Sequence, residues 1–291
     1  MNGIFYLLAV SILWGFSFGL VKAEFSALSP STLAAARLLI ALPCFLPFLK
    51  KSFIRLSRDN LVLLLIGAVQ FGLMYVTLFN AFRWLSGYEV ALLTIFTPVY
   101  VISVYAVLDR RWPPYWFWMT AILSVAGALW ILSPQALPDK WPGILLMQLS
   151  NLFFAAGQVA WRHQRQRMKE GRDVDGYALL YIGGVLATLP FLLQGNPVAE
   201  LAMLDQTQWI SLVYLGIIAS GLGFFLWNAG AARAAPATLA VFNNLKIPVA
   251  IVISIMVFKE SASIERLVPG TLLLIAALAW AEIAKSRHYQ E

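Results

Sequence analysis

Apolar residues in this chain come in long unbroken runs, not in the alternation of a half-buried strand or the single stripe of a surface helix. Cut at clusters of charge, proline and glycine, the runs fall at about 3–21, 31–49, 60–82, 88–108, 114–133, 142–161, 176–194, 207–229, 236–258 and 267–284. Each approaches the roughly 20 apolar residues that carry a helix across a bilayer. Because the runs do not alternate, a transmembrane barrel is excluded. The connections are short, and the longest, RHQRQRMKEGRDVD (162–175), is too small for a soluble domain. The first run, GIFYLLAVSILWGFSFGLV, has no basic segment before it and no small-x-small cleavage site after it, so it reads as a retained span. The pattern predicts an all-α membrane protein of ten transmembrane helices.

Composition agrees. Of 291 residues 60% are hydrophobic and 12% charged, where a soluble domain carries about 25% charge. The 11 Trp, 19 Phe and 10 Tyr supply many rings for the membrane surface. The net charge of +7 invites a nucleic-acid reading, but its distribution points to topology. With the N-terminus inside, the inner connections hold 14 basic residues: Lys50, Lys51, Arg55, Arg58, Arg110, Arg111, Arg162, Arg165, Arg167, Lys169, Arg172, Arg233, Lys285 and Arg287. The outer connections hold 5: Lys22, Arg83, Lys140, Lys259 and Arg266. Both termini are therefore predicted in the cytoplasm, and nucleic acid is not a predicted partner. The single cysteine, Cys44, permits no internal disulfide and no cysteine-based metal site.

The chain also repeats itself. GAVQFGLMYVTLFNA (67–81) and GIIASGLGFFLWNA (216–229) both start with glycine, carry Gly-Leu five residues on, and end in Asn-Ala. Asn80 and Asn228 precede Pro98 and Pro248 by 18 and 20 residues, and the runs after each proline meet an acid, Asp109 or Glu260. Each half closes with similar letters, AGALWIL (126–132) and IAALAWAEI (275–283). Two five-helix repeats follow, 1–134 and 135–291, forming one membrane domain. Because five is odd, the second repeat is inverted. Inverted repeats with Pro/Gly-interrupted helices are a transporter architecture, with the substrate near the midplane between halves that rock. Duplication without alternating access is the alternative.

On these features the chain resembles the EamA-like branch of the drug/metabolite transporter superfamily. The resemblance is carried by ILWGFSF (12–18), by the Pro-to-acid spacing that ends at Asp109 and Glu260, and by Gly127 and Gly270 in the closing spans. It implies two five-span repeats and export of a small metabolite across a bacterial inner membrane, and its overall character is most similar to aromatic amino-acid exporters.

For the site itself, Lys246 stands ten and twelve residues from the two ends of its span, in VFNNLKIPVA. A charge at that depth costs about 2.5–3.5 kcal/mol, and no acid lies deep in another span: Glu89 is at the outer mouth of the fourth and Glu282 near the cytoplasmic end of the last. A substrate carboxylate is one candidate counterion, with Asn243 three residues away on the same helical face and a carbonyl freed by Pro248. A neutral lysine, or one bonded to released carbonyls, is the other reading. Arg37, six residues inside its span, reads as interfacial or structural. Asn151, Phe154, Gln158 and Trp161 form one helical stripe suited to a ligand with a polar head and a flat body, or to helix packing. Phe71, Tyr75, Phe79 and Phe82, then Phe96 and Tyr100, with Trp14 at mid-membrane, could stack on an aromatic substrate. The predicted substrate site is thus Trp14, Tyr75, Phe79, Phe96, Tyr100, Asn151, Gln158, Trp161, Asn243 and Lys246. Pro98, Gly72, Gly221, Gly223 and Pro248 are the predicted hinges.

Absences narrow the class. No acid lies in the first span, which disfavours a cation-drug/proton antiporter. No Ser/His pair, carboxylate pair or metal cluster occurs at membrane depth, so no enzyme is predicted. No phosphate-binding Gly-Lys-Ser/Thr loop supports ATP-driven pumping. The expected partners are a small molecule and the lipid bilayer, with no cofactor, in a monomer or homodimer. The expected cargo is an amphipathic metabolite, amino acids including aromatic ones. The alternatives are a phosphorylated metabolite or nucleotide-sugar, or other drug/metabolite cargo.

Overall fold

The computed structural model describes residues 3–53, 57–110, 137–168, 171–193, 195–233, 250–259 and 263–288, with isolated positions in 112–130 and 243–247. Among the described residues the regular structure is helical throughout. The helices are α1 (Gly3–Glu24), α2 (Pro30–Ala41), α3 (Arg58–Gly67), α4 (Met74–Ala81), α5 (Gly87–Leu93) and α6 (Thr97–Asp109). They continue as α7 (Leu137–Arg167), α8 (Tyr177–Leu192), α9 (Pro197–Ala202), α10 (Gln206–Tyr214), α11 (Gly223–Arg233) and α12 (Ile264–His288).

Among the described residues, five continuous helical stretches are long and apolar enough to cross a membrane: Phe5–Glu24, Arg58–Ala81, Gly87–Leu108, Pro138–Arg167 and Gln206–Arg233. Pro30–Cys44 and Tyr177–Leu192 are shorter apolar helices. This is a multi-pass membrane protein. The fifth and ninth sequence-predicted spans lie largely outside the described residues, and so do Lys246 and Pro248.

The second span is shorter than its run of apolar letters. Proline removes a backbone donor and clashes with the preceding turn, so Pro43 and Pro47 end the α-helix at Ala41, and 3₁₀ turns follow at Leu42–Cys44 and Leu46–Phe48. The short helix α9 is capped by the Asn196 side chain and was not anticipated from hydropathy. Its start has the expected form, proline at the first helical turn after an asparagine.

Two stretches widen to π-helix, Ala68–Leu73 between α3 and α4 and Leu215–Leu222 between α10 and α11. Such winding is rare and marks functional sites. Both segments fall in the sequence motifs that resemble each other, at 67–81 and 216–229. A 3₁₀ turn, Thr94–Phe96, interrupts the fourth span just before Pro98.

Small residues let backbones touch. At Gly67 an added methyl would overlap the Leu180 carbonyl, and at Gly183 it would overlap the Leu64 carbonyl. Only glycine permits so close an approach of α3 and α8, which is how helices gain van der Waals contact inside lipid.

One end of the bundle is basic, and its helix ends are tied by ion pairs. Asp173 binds Arg165 at 2.6 Å and Arg233 at 2.6 Å. Asp175 binds the Lys50 ammonium and Arg172 at 3.0 Å. The bond to Lys50, with those from the Arg172 backbone and guanidinium, holds the Asp175 carboxyl at about 2, below the usual 3.8, against the opposing effect of burial. A depressed carboxyl stabilises the fold above its unfolded pKa near 4, and that stability is lost as pH falls through the interval from about 4 to about 2. Asp175→Asn should lower stability at pH 7 by about 1–2 kcal/mol. Thermal unfolding in detergent from pH 7 to pH 2.5 should show the gap between wild type and variant closing as the pH drops.

Candidate functional site

The cavity that draws the bundle together lies between α1, α2, α4, the α5–α6 break, α7 and the start of α11. About 560 Å³ of empty space, counting its mouth, is lined by Trp14, Ser17, Arg37, Met74, Tyr75, Phe79, Thr94, Thr97, Ser150, Asn151, Phe154 and Phe224, among others.

Arg37 dominates its electrostatics. The residue is only 2% exposed, so its head does not reach the interface as expected from its sequence position. Its Nε donates to Ser220 Oγ at 3.0 Å, and its guanidinium carbon lies 4.7 Å from the Tyr75 ring centre and 5.3 Å from that of Phe79. Among the described residues no carboxylate pairs with it. Ser220 is the pivot. Its own hydrogen goes to the Leu215 carbonyl at 2.8 Å, so Tyr75 must donate its hydroxyl to Ser220 Oγ, 2.8 Å away. A buried cation held by neutral dipoles and ring faces is costly without an anion.

The π-helical segment makes this arrangement possible, because its altered winding offers carbonyls to side chains. Trp14 Nε1 donates to Ala219 O at 2.9 Å, and the Tyr181 hydroxyl donates to the carbonyls of Ser220 and Gly221 at 2.9 and 3.2 Å. The 3₁₀ turn before Pro98 plays the same part, with Asn151 Nδ2 donating to Leu93 O at 2.8 Å. Trp14 meets Phe154 and Phe224 edge-on, at 5.6 and 5.2 Å between ring centres.

Beyond the cavity, towards the basic end, lies a buried polar layer. Gln70 and Asn228 exchange amide hydrogen bonds at 2.8 and 3.1 Å. Asn228 also donates to the Tyr177 hydroxyl at 3.0 Å, and Trp227 Nε1 donates to Gln158 Oε1 at 3.0 Å. Towards the other end the cavity adjoins a hollow of about 1040 Å³, lined by Lys22, Arg83 and Glu200 and sharing Val21, Phe79 and Phe82 with the cavity.

Of the sequence-predicted site residues, Trp14, Tyr75, Phe79 and Asn151 come together around this cavity. Four others do not. Phe96 is half-buried in the core, and the Tyr100 hydroxyl donates to Gln148 Oε1. Gln158 and Trp161 lie one and two turns past Phe154 along α7, which carries them into the polar layer, where Trp161 Nε1 donates to Asn228 O at 3.2 Å. Asn243 is buried but does not line the cavity. Of the predicted hinges, Pro98 follows the 3₁₀ turn, Gly221 lies in the π segment, and an added methyl at Gly223 would meet Trp14 Nε1 at 2.9 Å, so Gly223 also serves packing.

Sequence reasoning gave Arg37 an interfacial or structural role and did not name Thr94, Ser150 and Phe224, all of which line the cavity. A usable signal for Arg37 was present: arginine, always charged and with a rigid fork of donors, is the residue of choice for buried ion pairs. The other three carry none, since their role comes from neighbours distant in sequence.

Comparison with known proteins agrees with this architecture. A model of the EamA-like transporter family matches residues 1–133 and 141–282. The chain is 33% identical over 277 residues to the biotin transporter of Escherichia coli (strain K12), covering 94% of this chain and 90% of that one. It is 35% identical over 276 residues to a protein of Pseudomonas aeruginosa named "Probable biotin transporter", covering 94% and 95%. One solved structure, titled only as the crystal structure of a protein, shares the fold with a TM-score of 0.71 over 98% of this chain and 97% of that one, at 18% identity.

Ser220→Ala should leave the Arg37 Nε and the Tyr75 hydroxyl without their acceptor and destabilise the fold by about 1–3 kcal/mol. Thermal unfolding in detergent checks this, and Ser220→Thr, which keeps the hydroxyl, should lie closer to wild type.

Proposed function

This chain belongs to the EamA-like transporter family, in the drug/metabolite transporter superfamily, and we propose that it moves a monocarboxylate with an apolar body, of the biotin type, across the inner membrane. The observation that carries this reading is Arg37, a buried guanidinium with no carboxylate partner among the described residues, on the wall of an aromatic cavity. The substrate's carboxylate is the missing anion. It would form charge-assisted bonds with the terminal guanidinium nitrogens while the apolar body packs on Trp14, Phe154 and Phe224. The names of the relatives support biotin as the type of cargo. Lys246 remains a candidate second cation.

Access is alternating in this reading. The buried Gln70–Asn228 layer closes the basic end, and the hollow beside Lys22 and Arg83 opens the other. Support for two inverted repeats of five spans comes from the family model's two matched stretches and from the π segments in corresponding motifs. The termini would then be cytoplasmic, and the protein a monomer or homodimer.

Aromatic amino acids are the second reading, favoured by the rings of Trp14, Phe154 and Phe224. A phosphorylated cargo fits less well, because Arg37 is the single basic side chain lining the cavity among the described residues.

The test is flux in proteoliposomes with labelled biotin, tryptophan, alanine and a sugar phosphate, measured in both directions. Biotin flux should exceed the others, and Arg37→Gln should cut it at least about 30-fold, the cost of removing one member of a buried charge pair. Biotin flux that survives Arg37→Gln, or movement of the sugar phosphate alone, would overturn the reading. Net outward flux would support export, which the sequence resemblance implies.

A further inference from the structure

The hydroxyl groups of the cavity share a property that fixes what they can bind. A hydroxyl carries one hydrogen, and a carbonyl oxygen can only accept, so a hydroxyl bonded to a carbonyl has already committed its hydrogen. Thr94 Oγ1 donates to Ala91 O at 2.7 Å, Ser150 Oγ to Met74 O at 3.1 Å, and Ser17 Oγ to Trp14 O at 3.2 Å. Thr97 Oγ1 donates to Asn151 Oδ1 at 3.3 Å. The orientation of that amide is set by its other end, since Asn151 Nδ2 donates to the Leu93 carbonyl at 2.8 Å and also faces Gln148 Oε1 at 3.5 Å.

Thr94, Thr97, Ser150 and Asn151 therefore present lone pairs to the cavity and keep their hydrogens for the protein. All four are buried. They lie together where α7 meets the α5–α6 break, and Ser150 joins them to α4. Arg37 reaches the cavity from α2, on the other flank of α4, through Tyr75. With α4 packed against both α2 and α7, the two groups stand on different flanks of the cavity. One pole donates and carries positive charge. The other only accepts.

The geometry points to a second subsite, at Thr94, Thr97 and Ser150, that selects a substrate bearing N–H donors at the end remote from its carboxylate. This rests on the reading of Arg37 as the carboxylate anchor. The class is a carboxylate joined through an apolar segment to an N–H-bearing ring, as in a cyclic urea or an indole. The same pole disfavours a second carboxylate or a phosphate, since two acceptors share no hydrogen and repel. A plain alkanoate would gain the Arg37 contact alone and leave the acceptor pole desolvated without a donor.

Binding to purified protein in detergent tests this with four probes: biotin, its ureido-N-methylated derivative, octanoate and tryptophan. Wild type should bind biotin at least about tenfold more tightly than octanoate, with the methylated derivative in between. Each of Thr97→Val and Ser150→Ala should reduce the biotin-to-octanoate ratio by about three- to tenfold. Arg37→Gln should weaken both probes together and leave the ratio standing. Thermal unfolding confirms that each variant is folded, and Thr94→Val supplies a further one if either is not. Tryptophan bound more tightly than octanoate would also support an N–H-selective pole. Equal affinities for biotin, its methylated form and octanoate, or a ratio untouched by the hydroxyl substitutions, would overturn the subsite while the Arg37 anchor stood. Probes that bind independently of Arg37 would overturn the anchor and this inference with it.

Discussion

Hydrocarbon offers no hydrogen bonds, so every backbone group at membrane depth must find its partner within the protein. That constraint governs where this chain can leave the regular α-helix. Three of the departures, at Ala68–Leu73, Thr94–Phe96 and Leu215–Leu222, adjoin the cavity or supply its wall. Side chains take up carbonyls there: Trp14 at Ala219, Tyr181 at Ser220 and Gly221, Asn151 at Leu93. The same bonds fix the orientation of the groups that line the cavity. Irregular winding and the orientation of the cavity's lining groups are two consequences of one requirement.

The charge at the centre follows similar logic. Arg37 is accommodated because Ser220 gives its hydrogen away to Leu215 and so accepts from both Arg37 and Tyr75, while ring faces cover the guanidinium. These contacts position the cation without neutralising it. In the proposed reading, a carboxylate entering from the hollow lined by Lys22, Arg83 and Glu200 would finish at a guanidinium that has no carboxylate partner among the described residues. The basic end is built differently, with Asp173 and Asp175 each tied to two cations, so its charges are locked in pairs.

Much of the fold was legible in the letters. Long apolar runs announced a helical membrane protein, the glycine motifs at 67–81 and 216–229 marked two unusual segments, and ILWGFSF pointed to the family. The boundary of α2 was missed because Pro43 and Pro47 sit in an apolar run, and hydropathy does not register a lost donor. The site was half legible. Trp14, Tyr75, Phe79 and Asn151 carried a signal in residue type and depth. Gln158 and Trp161 shared their stripe with Asn151, but a stripe ten residues long spans about 15 Å, and its far end packs into a different layer. The acceptor character of Thr94, Thr97 and Ser150 was not legible, since it depends on which carbonyl each hydroxyl meets. For Arg37 the interfacial alternative fell, because counting from the end of an apolar run does not show what surrounds the side chain.

We propose that the buried Arg37 guanidinium, which has no carboxylate partner among the described residues, recognises a substrate carboxylate. The most direct measurement is the affinity of wild type and Arg37→Gln for biotin and for its uncharged methyl ester. Wild type should prefer the acid at least about 30-fold, and Arg37→Gln should abolish that preference by losing the acid's advantage. A wild type that binds acid and ester alike, or a variant that keeps the preference, would contradict the claim and return Arg37 to a structural role.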